Sequence, residues 1–299
     1  MFPRGTAERQ HTMNNLLNEI QKRLPSLSKG QQRIANFITS SYEQAAFMTA
    51  AKLGETVGVS ESTVVRFAYA LGLDGYPALQ DRMQEMVLGR LTSVQRAQLA
   101  SGIKKNEVFK TVLNTDMNSI RTTMEMADEE QFDKAVETIL QARKVYVLGL
   151  RSAMPLAMFL AYYLDYICGN VVTFSANIQD LRETMVRMDP RDAFICISFP
   201  RYSTRTAEAM AYAKSRGAKT IALTDKQDSP IGAMADVVLL AKSDMASFAD
   251  SLTAPLSVIN AIIVAAGLQS EQQVQEHLRE LENVWNRDQV YLTDGGDGR

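Results

Sequence analysis

Reactive side chains are scarce in this 299-residue chain, which has two cysteines, two histidines and one tryptophan. Cys168 and Cys196 lie in apolar surroundings and follow no metal-ligand spacing, so they read as buried free thiols of a cytoplasmic protein. No metal and no cofactor are expected. No run of about 18 apolar residues occurs, which excludes a simple membrane span. The opening segment MFPRGTAERQHTMNN lacks the apolar core of a signal peptide. Nor is there an excess of positive charge: the net charge is −2, which argues against a generally basic nucleic-acid binder. The split along the chain is mild, +2 over residues 1–90 and −4 over residues 91–299. Any affinity for DNA must come from a local patch and from two copies acting together.

What is present is ordinary globular composition, 46% hydrophobic and 22% charged, on a length that suits two domains. The spacing predicts helices over 16–24, 29–41, 50–57, 61–71 and 75–88, with Ser28, Thr49 and Ser60 at cap positions and Gly58 and Gly72 at turns. Residues 14–90 form a first domain, 91–105 a connector and 106–287 a second domain; residues 1–13 and 288–299 are expected to be flexible tails. From Lys144 onward, β-rich runs at 145–150, 170–174, 193–198, 219–224 and 236–241 alternate with helical segments. That alternation predicts a five-stranded parallel sheet sandwiched between helices. The fold class is therefore α and α/β, an all-helical N-terminal domain joined to a parallel-sheet sandwich.

Residues 47–79, FMTAAKLGETVGVSESTVVRFAYALGLDGYPAL, have the shape of a helix-turn-helix. The N-terminal part of the second helix would meet base edges and phosphates, which singles out Ser60, Glu61, Ser62, Thr63 and Arg66, with Thr49 at the start of the helix before it. Thr63 suits a phosphate or a thymine methyl, Arg66 a phosphate or a guanine edge, and Glu61 a cytosine amine. Val64, Phe67 and Leu71 share the inward face. A serine cap and a solvated arginine are also common on helices that never meet DNA.

These residues resemble the N-terminal domain of RpiR/MurR-type bacterial transcription regulators. The pattern is met at Val59, Ser60, Thr63, Val64, Arg66, Phe67, Leu71, Gly72, Gly75 and Tyr76. The resemblance runs over nearly the whole chain. It implies a cytoplasmic regulator, more often a repressor, that binds palindromic double-stranded DNA as a homodimer or homotetramer. The second domain is similar to the sugar isomerase (SIS) domain of that family.

In open parallel sheets, ligands sit beyond the C-terminal strand ends. Loops leaving such ends carry Arg151 and Ser152; Ser198, Arg201, Ser203 and Thr206; and Thr224. Hydroxyls and arginines suit a small anionic ligand, a sugar phosphate or a sugar acid. The usual SIS pattern, Ser-x-Ser-Gly-x-Thr, is altered: Pro200 replaces the second serine, Arg201 the glycine and Ser203 the threonine. In the first loop Arg151 stands in place of a glycine. The two arginines are expected to take over part of the charge recognition; the same residues also suit helix caps and ion pairs at a subunit interface. A SIS-fold sugar-phosphate isomerase is the competing reading, but that chemistry needs a positioned base. His11 and His277 lie at the two ends of the chain, and an isomerase has no use for a helix-turn-helix. Helices 106–127 and 252–268 are apolar enough to serve core and subunit interface together.

Overall fold

The computed structural model describes residues 9–88, 93–100, 105–174, 181–244 and 249–291. Expectations for the first eight residues, for residues 89–92 and 101–104 and for the tail beyond residue 291 lie outside the described residues. The chain divides into two compact units, residues 1–96 and 97–299.

The first unit is built from α1 (Arg9–Arg23), α2 (Lys29–Ala45), α3 (Ala50–Val57), α4 (Glu61–Ala70) and α5 (Gly75–Leu88). α1 starts at Arg9, inside the segment expected to be a tail. Pro25 lies in the single turn of 3-10 helix that follows it. Ser28 and Gln31 form a reciprocal capping box that starts α2. α2 outlasts its predicted end because the helix resumes after a kink at Ser41 (φ −143°, ψ 41°). Ile34, Ile38, Leu53, Val64, Phe67 and Leu79 are fully buried, each contributing roughly 1.5–3 kcal/mol of apolar burial. α5 ties down the chain just before the turn motif. Tyr76 Oη donates to the Met48 carbonyl at 2.6 Å, Gln80 Nε2 to the same carbonyl at 2.9 Å, and Gln84 Nε2 to Ala46 at 3.0 Å. Burial pushes the Tyr76 phenol up to about 12.

In the second unit, α7 (Val108–Glu125) and α8 (Glu129–Gln141) precede a sheet of β1 (Val145–Gly149), β2 (Val171–Thr173), β3 (Ala193–Ile197), β4 (Lys219–Thr224) and β5 (Val237–Leu240). α6 (Ser93–Ala100) lies within the segment expected to be connector. All pairings are parallel and the strand order is β2-β1-β3-β4-β5. Crossovers run through α9 (Met154–Cys168), α10 (Leu181–Met185) and α11 (Thr204–Ser215); α12 (Thr253–Gln269) and α13 (Glu271–Arg287) follow β5. Because side chains alternate along a strand, Val145, Val147, Ile195 and Ile197 pack with α8, α9 and α12. Tyr146, Leu148, Phe194 and Cys196 pack with α10 and α11 on the other face. Cys196 is buried and its thiol is pushed far up by desolvation. Cys168 corrects the expectation of two buried thiols. Near the exposed end of α9 it is half-buried, although enough apolar surface covers it to raise its thiol to about 11.

α12 is largely a core helix, with Ala254, Ile259 and Ile262 buried and Leu256 and Ile263 packed on the same cluster. α7 is inverted in polarity. Ser119 and Thr123 are buried, whereas Phe109, Leu113, Met117, Ile120 and Met124 are exposed.

Gly54 allows α3 to touch the turn after it, since a Cβ there would come within 2.8 Å of the Val59 carbonyl oxygen. Gly54→Ala is expected to destabilise the first unit by about 1–3 kcal/mol. Urea unfolding followed by circular dichroism should show an earlier transition; an unchanged midpoint would refute the contact's role.

Candidate nucleic-acid interface and effector site

Gly58 closes α3 at φ +71°, and the N–H of Val59 donates to the Gly54 carbonyl at 2.8 Å. This tight end sends the chain straight into α4. The start of α2 packs on the start of α4: a Cβ on Gly30 would lie 3.4 Å from Thr63 Cγ2. Ser60, Glu61, Ser62 and Arg66 are exposed and Thr63 is half-buried, all on the first two turns of α4. Val64, Phe67 and Leu71 are buried. The Ser60 hydroxyl lies 2.9 Å from both the Ser62 and the Thr63 hydroxyls. Arg66 Nε donates to the Ser62 carbonyl at 3.2 Å, and its guanidinium has no ion pair among the described residues.

In the second unit β1 is followed by β2 on one side and pairs with β3 on the other, so strand order reverses between β1 and β3. Gly149 and Ile197 stand in register at the C-terminal ends of these strands. A crevice at such a switch point is where open α/β sheets hold ligands. Arg151 follows β1 and Arg201 follows β3, and both are left-handed, at φ +58° and +64°. Left-handed backbone costs a residue bearing a Cβ about 1–2 kcal/mol. Both arginines are exposed. Ser198 is buried at the base of its loop. Ser203 sits half-buried at the start of α11 without a side-chain capping bond, and neither hydroxyl is engaged by a described residue. The 12-residue α11 adds the partial positive charge of its N-terminus. Tyr202 Oη donates to Asp225 Oδ1 at 2.6 Å and fastens the loop after β3 to the loop after β4. Burial raises the Asp225 carboxyl, and the Tyr202 bond opposes that rise.

Residues 14–87 match the model of the rpiR-family helix-turn-helix domain, and residues 138–265 match the SIS domain model. The chain belongs to the RpiR family of helix-turn-helix transcriptional regulators. It is 25% identical to the HTH-type transcriptional regulator HexR of Pseudomonas aeruginosa over 273 residues, 90% of this chain and 95% of that protein. Its fold resembles the sugar isomerase domain of an RpiR transcription factor from Sphaerobacter thermophilus, with a TM-score of 0.58 and 27% identity over 59% of this chain and 99% of that one. It also resembles Vibrio vulnificus NanR, solved with ManNAc-6P, with a TM-score of 0.57 and 19% identity over 91% of this chain and 98% of that one.

In this RpiR-family chain the residues singled out from sequence divide into open and committed groups. Thr49 is exposed, but its Oγ1 caps α3 by accepting from the Lys52 N–H at 3.1 Å. Ser60 occupies the cap position of α4, yet its hydroxyl turns to its two hydroxyl neighbours and caps no backbone N–H. Arg151, Ser152, Arg201, Ser203 and, deeper, Ser198 belong to the two loops beside the switch point. Thr206 and Thr224, also expected at the ligand, are buried like Ser198. Thr224 Oγ1 is 3.0 Å from Ser229 Oγ and 3.2 Å from Asp225, so it braces the loop.

Sequence reasoning missed Arg33. On α2, its Nη1 lies 3.3 Å from where a Gly58 Cβ would be, over the turn of the reading motif, with no ion pair among the described residues. No linear spacing links residues 33 and 58. Tyr202 stood in a recognised loop, but its carboxylate partner comes from another strand. Arg151→Gly is expected to be more stable than Arg151→Ala by about 1 kcal/mol, since only the left-handed backbone separates them. Thermal melting of the two variants checks this, and equal midpoints would deny the strain.

Proposed function

We propose that this chain binds operator DNA as a homodimer or homotetramer, that a small anionic sugar derivative in the SIS domain controls its affinity, and that it acts as a cytoplasmic repressor. The observation that carries the reading is the pairing of an exposed, unpaired Arg66 on a polar-start helix with two left-handed arginines at a strand-order switch point. Arg66 and Thr63 read base edges or phosphate, Ser60, Ser62 and Glu61 flank them, and Arg33 and the start of α3 at Thr49 hold phosphates. Arg151 and Arg201 bind the effector's charge, with Ser152, Ser198 and Ser203 supplying hydroxyls. Binding of ManNAc-6P by NanR, a fold relative, supports a sugar phosphate; the lost second serine at Pro200 and the gained arginines support a sugar acid equally.

The chain is proposed not to be an isomerase. Asp225, an acid at the strand ends, is held by Tyr202, and the His277 ring lies against that of Tyr166, with centroids 6.2 Å apart. The matched relatives named above as regulators support the same reading.

Oligomerisation is read from α7. Phe109, Met117 and Met124 are 75%, 55% and 70% exposed along one face, joined by Leu113 and Ile120. An apolar stripe of this kind marks a protein contact, and a second copy supplies the avidity that a weakly charged reading domain needs.

Fluorescence anisotropy with DNA from upstream of the protein's own gene, across a salt series, tests DNA reading. Wild type should bind tightly and lose affinity steeply with salt. Arg66→Ala should lose about 1–3 kcal/mol, and Arg33→Ala should flatten the salt slope. No preference for any genomic fragment over random DNA would return weight to the isomerase. In sedimentation experiments, Met117→Asp combined with Met124→Asp should yield monomers; a wild type that is itself monomeric at micromolar concentration would overturn the oligomer.

A further inference from the structure

We propose that Asp250 is a built-in competitor for the effector's anionic group, and that its displacement carries the binding signal to α7. The proposal rests on the effector site read above and names the regulation of that site. Ser152, in the loop after β1, turns its hydroxyl toward Asp250 Oδ2 at 3.5 Å. That hydroxyl already donates to a carboxylate, the acceptor chemistry that an incoming phosphate or carboxylate would also offer. The distance is at the outer limit of a hydrogen bond, so Ser152 gives up this one contact readily, while Asp250 keeps a further interaction that the effector's charge must outweigh. An anion held by Arg151 and Ser152 meets the Asp250 carboxylate at close range, and like charges at that separation repel. The effector therefore accepts the Ser152 hydrogen bond in place of Asp250 and repels the Asp250 carboxylate.

Movement of Asp250 cannot stay local. The next residue, Ser251, donates through Oγ to Asp116 Oδ1 on α7 at 2.5 Å. Its N–H donates to the Asp244 carbonyl at 3.1 Å, and its own carbonyl accepts from Ser243 Oγ at 2.9 Å. Asp244 Oδ2 accepts from Ser119 Oγ at 3.0 Å, and the Lys242 N–H donates to Thr123 Oγ1 at 2.9 Å. Asp116, Ser119 and Thr123 line one side of α7, and Ser119 and Thr123 are buried, where hydrogen bonds are well shielded from water. On its other side α7 presents the apolar stripe assigned to the second copy. A helix gripped by polar bonds on one side and offering its apolar side to a partner links effector occupancy to the subunit contact.

The test uses the full chain, inorganic phosphate as the anion, calorimetry for affinity and hydrogen exchange for α7. Asp250→Asn is expected to bind phosphate on the order of tenfold more tightly than wild type. Without phosphate, its residues 108–125 should already exchange like those of saturated wild type. Asp116→Asn is expected to bind phosphate at least as tightly as wild type while α7 no longer responds. If Arg151→Ala loses phosphate but Asp250→Asn binds it as wild type does, Asp250 is no competitor and the effector site stands. A full α7 response in Asp116→Asn would overturn the relay. If wild type takes up no phosphate, or Arg151→Ala binds it equally well, the effector site itself falls, and the switch with it.

Discussion

The parallel pairing of β1 with β3 positions both basic loops. Five residues of each strand stand in register, and all ten are buried, so neither strand slides without exposing a wholly apolar face. The two strands end together at Gly149 and Ile197, and the chain must leave both ends at once. No Cβ fits at Gly149 because the Ala153 carbonyl lies directly above it. The bare glycine lets the loop close over the strand end, and Arg151 stands left-handed within that closed turn. The second loop makes the corresponding turn at Arg201. Two charged residues thus stand in backbone conformations that glycine adopts at no cost, and the strain concentrates at the switch point, where binding sites commonly store it.

The far end of the sheet is closed by a different device. Arg143 grips the buried carboxylate of Asp192 with bonds of 2.9 and 2.7 Å, joining the entry of β1 to the entry of β3. Asp189 is held well below the usual carboxylate range, chiefly by its bonds from Arg191. The N-terminal strand ends are thereby locked by charge, whereas the C-terminal ends carry Arg151 unpaired among the described residues and hydroxyls left open. One end of the sheet serves stability, and the other is the end proposed for recognition.

The reading motif depends on close backbone approach in the same way. Gly54 and Gly58 permit a turn too tight for side chains, and α5 secures the carbonyls of Ala46 and Met48 just ahead of it. The exposed face of α4 is thus aimed by contacts made at its back and at its base. α7 follows a contrasting rule. Its polar side is buried against the loop after β5 and its apolar side is exposed, an arrangement that fits a helix completed by a second copy.

Much of this was legible in the residues themselves. Alternation of β-rich runs with helical spacing predicted all five strands to within a residue or two, because β1, β3 and β4 are buried on both faces and leave continuous apolar runs, with the short, half-exposed β2 carried by its β-branched residues. Glycines at 58 and 72 and caps at 28 and 49 marked the helix ends because those effects are local. The two basic loops were singled out because topology alone directs ligands to strand ends. Tertiary structure decided what pairing across distance decides: that Arg33 lies over the turn at Gly58, that Tyr202 reaches Asp225, and that Thr206 and Thr224 turn inward. It also decided that Ser60 faces other hydroxyls rather than a backbone N–H. Whether a polar side chain is spent inside the fold depends on partners as far as 135 residues away, as with Ser251 and Asp116. No periodicity encodes such partners, because each is fixed only when separate elements pack.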